Sequence, residues 1–136
     1  MAVALLTLAV SAASAGVSLG AAPVPTTIPV VSHLRLSPST FKSSLTARAG
    51  YGATVHFTLT EDSVQTYVVK MQQGTSWVTL KGSFVKRGRQ GKDVFPFPGV
   101  VHGHKLKNGK YELVATPKVA GVGTGKPDVA HFTVIG

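Results

Sequence analysis

Lys105–Pro117, KLKNGKYELVATP, is the stretch from which the chain is best read. After Gly109, Tyr111, Leu113 and Ala115 share one parity, and Lys110, Glu112 and Thr116 take the other. A period of two residues is that of a strand with one buried face. A tyrosine at the start of such a strand, with a loop directly behind it, fits the tyrosine corner of β-sandwiches. A buried phenol needs a hydrogen-bond partner, and the backbone from Leu106 to Asn108 is the nearest supply. Gly109 gives the turn its freedom, so Gly109 and Tyr111 are expected to form a structural pin.

The alternation continues on both sides. Val55, Phe57 and Leu59 are interleaved with Thr54, His56, Thr58 and Thr60; Tyr67, Val69 and Met71 follow an acidic turn at Glu61-Asp62. Val78, Leu80, Gly82 and Phe84 form the next inward set, and Ala130, Phe132 and Val134 the last. In KDVFPFPG, Phe95 and Phe97 take the inward parity while Pro96 and Pro98 remove N–H groups on the other, which suits an edge strand. No segment repeats its apolar residues at helical spacing. With Leu34 and Leu36 as a first strand, the expectation is all-β: a single antiparallel β-sandwich of about seven strands, immunoglobulin-like, over residues 33–136.

The chain has 136 residues, enough for one domain, with no cysteine and a formal charge of +9. Absence of cysteine excludes disulfides, thiolate metal sites and cysteine catalysis, leaving an ordinary core to hold the fold. The first charge is Arg35. Ahead of it, the apolar run Val3–Val10 and the small residues Ala13-Ser14-Ala15 or Gly20-Ala21-Ala22 read as a secretory signal peptide over 1–22. The proline-rich, uncharged segment 23–32 reads as an extended linker. The expected location is therefore secreted or cell-surface associated, as a monomer without a transmembrane anchor in the mature chain.

Four blocks carry a family likeness: LRLSPSTFK (Leu34–Lys42), VHFTLTED (Val55–Asp62), LKGSFVKRGRQGKDVFPFPG (Leu80–Gly99) and HGHKLKNGKYELVATP (His102–Pro117). In this order they resemble the immunoglobulin-like or fibronectin type III-like β-sandwich module of exported actinobacterial proteins. The resemblance implies a fold and no activity. The chain departs from that module in two places. It lacks a basic, cysteine-containing insertion after the third strand, since Met71 passes through QQGTS directly to Trp77. It also carries Lys118-Val119-Ala120-Gly121 where the module has an acidic loop, which removes the ligand a calcium site would need.

Catalytic chemistry is thinly supplied. The five acids are Glu61, Asp62, Asp93, Glu112 and Asp128, and the adjacent Glu61 and Asp62 diverge to opposite faces of a strand end. There is no Gly-x-Ser-x-Gly elbow, and AGVGTGKP fails the phosphate-loop pattern because Ala120 and Pro127 occupy required positions. His102 and His104, two apart, would share a strand face but fall short of a zinc ligand set. No catalytic residue, metal or cofactor is expected. Charge is the functional signal: Lys86, Arg87, Arg89 and Lys92 crowd one loop, and Lys105, Lys107 and Lys110 another. Such clusters attract polyanions, so the first six of these without Lys110 are the candidate binding residues. Whether the two loops share an end is left open. Phe57, Phe95, Phe97 and Phe132 fall on core parity, leaving Tyr51 and Trp77 as stacking platforms and specific nucleic-acid binding poorly supported. The expected role is a non-enzymatic structural or adhesive module at the cell surface, meeting surface proteins. The alternative is a binding module for anionic polymers: cell-wall polymer, acidic polysaccharide or extracellular DNA.

Overall fold

The structure is a computed structural model and describes residues 27–46 and 48–136. The expected signal segment, 1–22, lies outside the described residues.

Seven strands of seven residues or more carry the fold: β1 (Val31–Ser37), β3 (Ala53–Leu59), β4 (Ser63–Gln73), β5 (Ser76–Gly88), β6 (Gly91–Phe97), β9 (Gly109–Val119) and β11 (Asp128–Ile135). Each coincides with one of the alternating runs. Four short strands were not foreseen: β2 (Thr40–Lys42), β7 (Val100–Val101), β8 (His104–Lys105) and β10 (Gly123–Thr124). A two- or three-residue strand has no period to detect, so pairing alone reveals it.

Two sheets face each other. One has the order β1-β3-β6; the other runs β2-β11-β9-β4-β5, with β10 added to β9. β6 is an edge strand, and its Pro96, opposite Thr54 of β3, is exposed while Phe95 and Phe97 are buried. The expected all-antiparallel pairing fails at one place, because β2 pairs parallel to β11 with Thr40, Phe41 and Lys42 beside Thr133, Val134 and Ile135. The chain leaves the first sheet after Ser37 and joins the second within three residues, carrying Phe41 into the core.

The core between the sheets is built on aromatic contacts. Phe97 meets Phe41, Phe84 and Phe132 at ring-centroid distances of 6.2, 5.9 and 5.6 Å. Phe95 and Phe57 meet Tyr67 at 5.1 and 6.2 Å. Edge-to-face and offset geometry of this kind adds about 0.5–1.5 kcal/mol per pair to area burial. The inward parity expected for β5 holds for Leu80 and Phe84, which pack on the core, but Val78 is 40% exposed. The second sheet is wider than the first, so the outer edge of β5 has no strand opposite it.

The domain boundary also shifts. β1 begins at Val31, inside the segment read as linker, and Pro29 is fully buried. Val30 exchanges hydrogen bonds with Thr60: its N–H donates to Oγ1 at 2.9 Å and its carbonyl accepts from the Thr60 N–H at 3.1 Å. Gly125 explains the space, since a Cβ there would overlap the Pro29 carbonyl oxygen. The glycine read as hairpin flexibility is thus also a packing requirement.

Candidate anion-binding surface

Tyr111 is 1% exposed, and its hydroxyl donates to the Lys107 carbonyl at 2.5 Å, within the backbone stretch named from the sequence. Its ring stacks on Phe132 at 5.2 Å. Burial pushes its phenol pKa above the usual range. Gly109 stands at φ +157°, a value that residues with side chains rarely adopt. This pin closes the loop that carries Lys105 and Lys107, so their backbone is held from the core.

His102 and Gly103 form the two-residue turn of the β7-β8 hairpin, with φ of 53° and 80°. Positive φ at both central positions is the type I′ geometry favoured in tight hairpins. The shared strand face expected for His102 and His104 therefore does not form. His102 instead packs on Gly82, where a Cβ would stand 2.6 Å from the His102 Cβ. Among the described residues no cluster of three or more His, Cys, Asp or Glu could hold a metal.

The basic residues divide between the two ends of the molecule. Arg87 lies opposite Val64, which also pairs with Lys118, and Lys92 pairs with Thr58. These positions, with Lys86 and Arg89, fall at the end where β4 begins and β9 finishes. Lys105 and Lys107 fall at the other end, where β9 begins and β11 finishes. The eleven residues of β9 separate them, which at strand rise is about 30 Å. Screening at physiological salt acts over about 8 Å, so the two clusters cannot act on a small ligand together.

The ends differ in their acids. At the first, Asp93 accepts the Arg89 N–H at 3.1 Å and Asp62 the Gln90 N–H at 2.8 Å. Asp128 accepts the Leu34 N–H at 3.0 Å, where β1 is interrupted by a register shift, and Glu61 accepts from the Thr27 hydroxyl. Lys86 is drawn over the Phe95 ring, with Nζ 5.1 Å from its centroid. At the second end Lys42, Arg48 and Lys110 join Lys105 and Lys107, and of the five acids Glu112 alone falls on this half of β9, two residues from Lys110 on the same face. Glu112 meets His131 Nε2 at 3.0 Å, the one contact between a carboxylate and a basic side chain among the described residues.

Lys42 and Arg48 were not among the sequence candidates. They stand apart from the obvious basic runs, and only the parallel pairing of β2 with β11 brings Lys42 alongside Gly136 and toward Lys105. A cleft of about 410 Å³ opens there, walled by Lys42, Arg48, Lys105, Ser44, Thr46 and Asn108. Behind it an open groove of about 660 Å³ runs past Tyr51, Pro38, Pro96, Pro98 and Leu45. Tyr51 and Arg48 line both, with the guanidinium carbon 4.4 Å from the Tyr51 ring centroid. Trp77, the other expected stacking platform, lies 5.6 Å from the His131 ring.

Comparison with protein-family models, curated proteins and solved structures found no match.

Proposed function

We propose that this chain is an exported, non-enzymatic adhesive module of immunoglobulin-like or fibronectin type III-like type, which works at the cell surface by holding an anionic polymer. Among the seven long strands, the first, second and fifth form one sheet and the seventh, sixth, third and fourth the other. That arrangement supports the immunoglobulin-like reading, with the fourth strand placed beside the third rather than with the first sheet as in constant-type domains. The Tyr111 pin is a second support. A non-enzymatic role is supported by how the carboxylates are used: each of the five accepts a hydrogen bond from a backbone or side-chain neighbour and serves a turn or a strand contact.

The observation that carries the polymer-binding reading is the segregation of charge. Five lysines and arginines gather at one end with Glu112 as the one acid near them, while four of the five acids lie toward the other. A field of that kind captures polyanions and weakens as salt rises. The test is co-sedimentation of the 136-residue chain with wall material of a Gram-positive actinobacterium, and retention on immobilised anionic polymers, at low and high salt. Retention that collapses with salt is expected; salt-independent capture by a surface protein alone would turn the reading toward a protein partner.

A further inference from the structure

The two depressions at the β2/β9 end differ in chemistry and share a wall. The cleft is polar and basic: Lys42, Arg48 and Lys105 approach it with the hydroxyls of Ser44 and Thr46 and the amide of Asn108. The groove is mainly apolar, with three proline rings, Tyr51 and the side chain of Leu45, which is 64% exposed. Prolines and an aromatic ring offer flat, rigid apolar surfaces that lose little entropy on contact. The guanidinium of Arg48 lies against the Tyr51 ring, so the cationic and apolar halves meet at one point.

A ligand that uses both halves must carry negative charge and also present apolar faces. Inorganic polyphosphate has charge without such faces. A single-stranded nucleic acid stacks successive bases on exposed aromatic platforms, and Tyr51 is the one aromatic residue of these walls that is not buried, since Phe97, which also lines the groove, is 3% exposed. A pyranose bearing a carboxylate or sulfate meets both requirements: its C–H face lies on Tyr51 and the prolines, and its anionic group reaches Arg48, Lys42 or Lys105. Its hydroxyls find Ser44, Thr46 and Asn108. Both volumes fall within the range of about 300–1,000 Å³ usual for small-ligand sites, room for short segments of a chain rather than a globular partner.

We infer that the cleft and groove walled by Lys42, Arg48, Lys105 and Tyr51 form a binding site for an acidic polysaccharide, and that the Lys86–Lys92 cluster is not part of it. The inference rests on the polymer-binding reading above and specifies its site and ligand class. The basic residues of the far cluster are about 30 Å away and screened from the site at physiological salt.

The test compares two variants that remove equal charge. Lys42→Gln/Arg48→Gln/Lys105→Gln alters the site; Arg87→Gln/Arg89→Gln/Lys92→Gln alters the far end. All six positions are exposed, and matching thermal melts check that both variants fold. Binding is measured by titration calorimetry with an oligogalacturonate and a heparin oligosaccharide, which distinguish carboxylate from sulfate, and with polyphosphate and single-stranded DNA. The site variant is expected to weaken oligosaccharide binding by about tenfold or more, and the far variant by less than about threefold. Tyr51→Ala is expected to weaken the oligosaccharides and leave polyphosphate unchanged. Equal losses in both triple variants would overturn the site assignment while leaving polyanion binding intact. DNA or polyphosphate binding as tightly as the oligosaccharides, indifferent to Tyr51→Ala, would overturn the ligand class. An unsubstituted chain that binds none of the four would remove the polymer-binding reading itself.

Discussion

Tyr67 and Tyr111 are both buried to within 1% of complete enclosure, yet removing their hydroxyls should move stability in opposite directions. The Tyr111 hydroxyl donates to the Lys107 carbonyl at 2.5 Å. Tyr111→Phe deletes that bond and leaves a carbonyl on an exposed residue that water can reach, so the cost is about 1–1.5 kcal/mol. The Tyr67 hydroxyl lies between the sheets with no partner among the described residues. Its burial carries a desolvation penalty of about 1–3 kcal/mol without a compensating bond, and Tyr67→Phe relieves part of it. The ring contacts to Phe84 at 5.2 Å and Phe95 at 5.1 Å remain in place. Urea unfolding of the three proteins, followed by the slope as well as the midpoint, reads the difference directly. At this domain size each kcal/mol is worth about 4 °C in Tm, so the two variants should melt on either side of the parent. Equal destabilisation by both substitutions would refute the reasoning, because it would place an acceptor or a bound water at the Tyr67 hydroxyl.

Two further outcomes follow from the same core. Phe97→Ala empties the point where Phe41, Phe84 and Phe132 converge, and should cost about 3–5 kcal/mol by denaturant titration. Alkali should weaken the fold through Tyr67, whose pKa burial and the nearby Asp93 carboxylate push well above the usual phenol range. The unfolded chain releases that proton near pH 10, so stability attributable to Tyr67 is intact below this pH and falls by about 1.4 kcal/mol per unit above it. Unfolding measured between about pH 9 and 11 should show a loss of about 1.4 kcal/mol in total across that window which Tyr67→Phe removes.

What was legible in the sequence was what repeats. Each long strand announces itself by alternation, and Pro96 of β6, with Pro98 just beyond it, marks an edge because a missing N–H has a direct hydrogen-bonding consequence. Tyr111 was legible because a phenol that enters a core must take a partner nearby. Other features depend on contacts far apart in the chain. Gly125 is required by Pro29, Gly82 by His102, and the crossing of β2 to the second sheet by its pairing with β11. The charge clusters show the same division: runs such as Lys86–Lys92 are visible locally, whereas the convergence of Lys42, Arg48 and Lys105 needs the strand topology. Val78 was misplaced because alternation reports which face a residue takes and not whether anything lies opposite.

The parallel pairing of β2 with β11 has a mechanical consequence. Its three rungs, reinforced by the Thr133 N–H donating to the Ser39 carbonyl at 2.8 Å, join an early strand to the last one with both running the same way. Tension between the N-terminal side of β2 and the C-terminal side of β11 would draw the strands lengthwise past each other. All the rungs would then bear load together in shear, whereas an antiparallel hairpin pulled from its open end unzips one rung at a time.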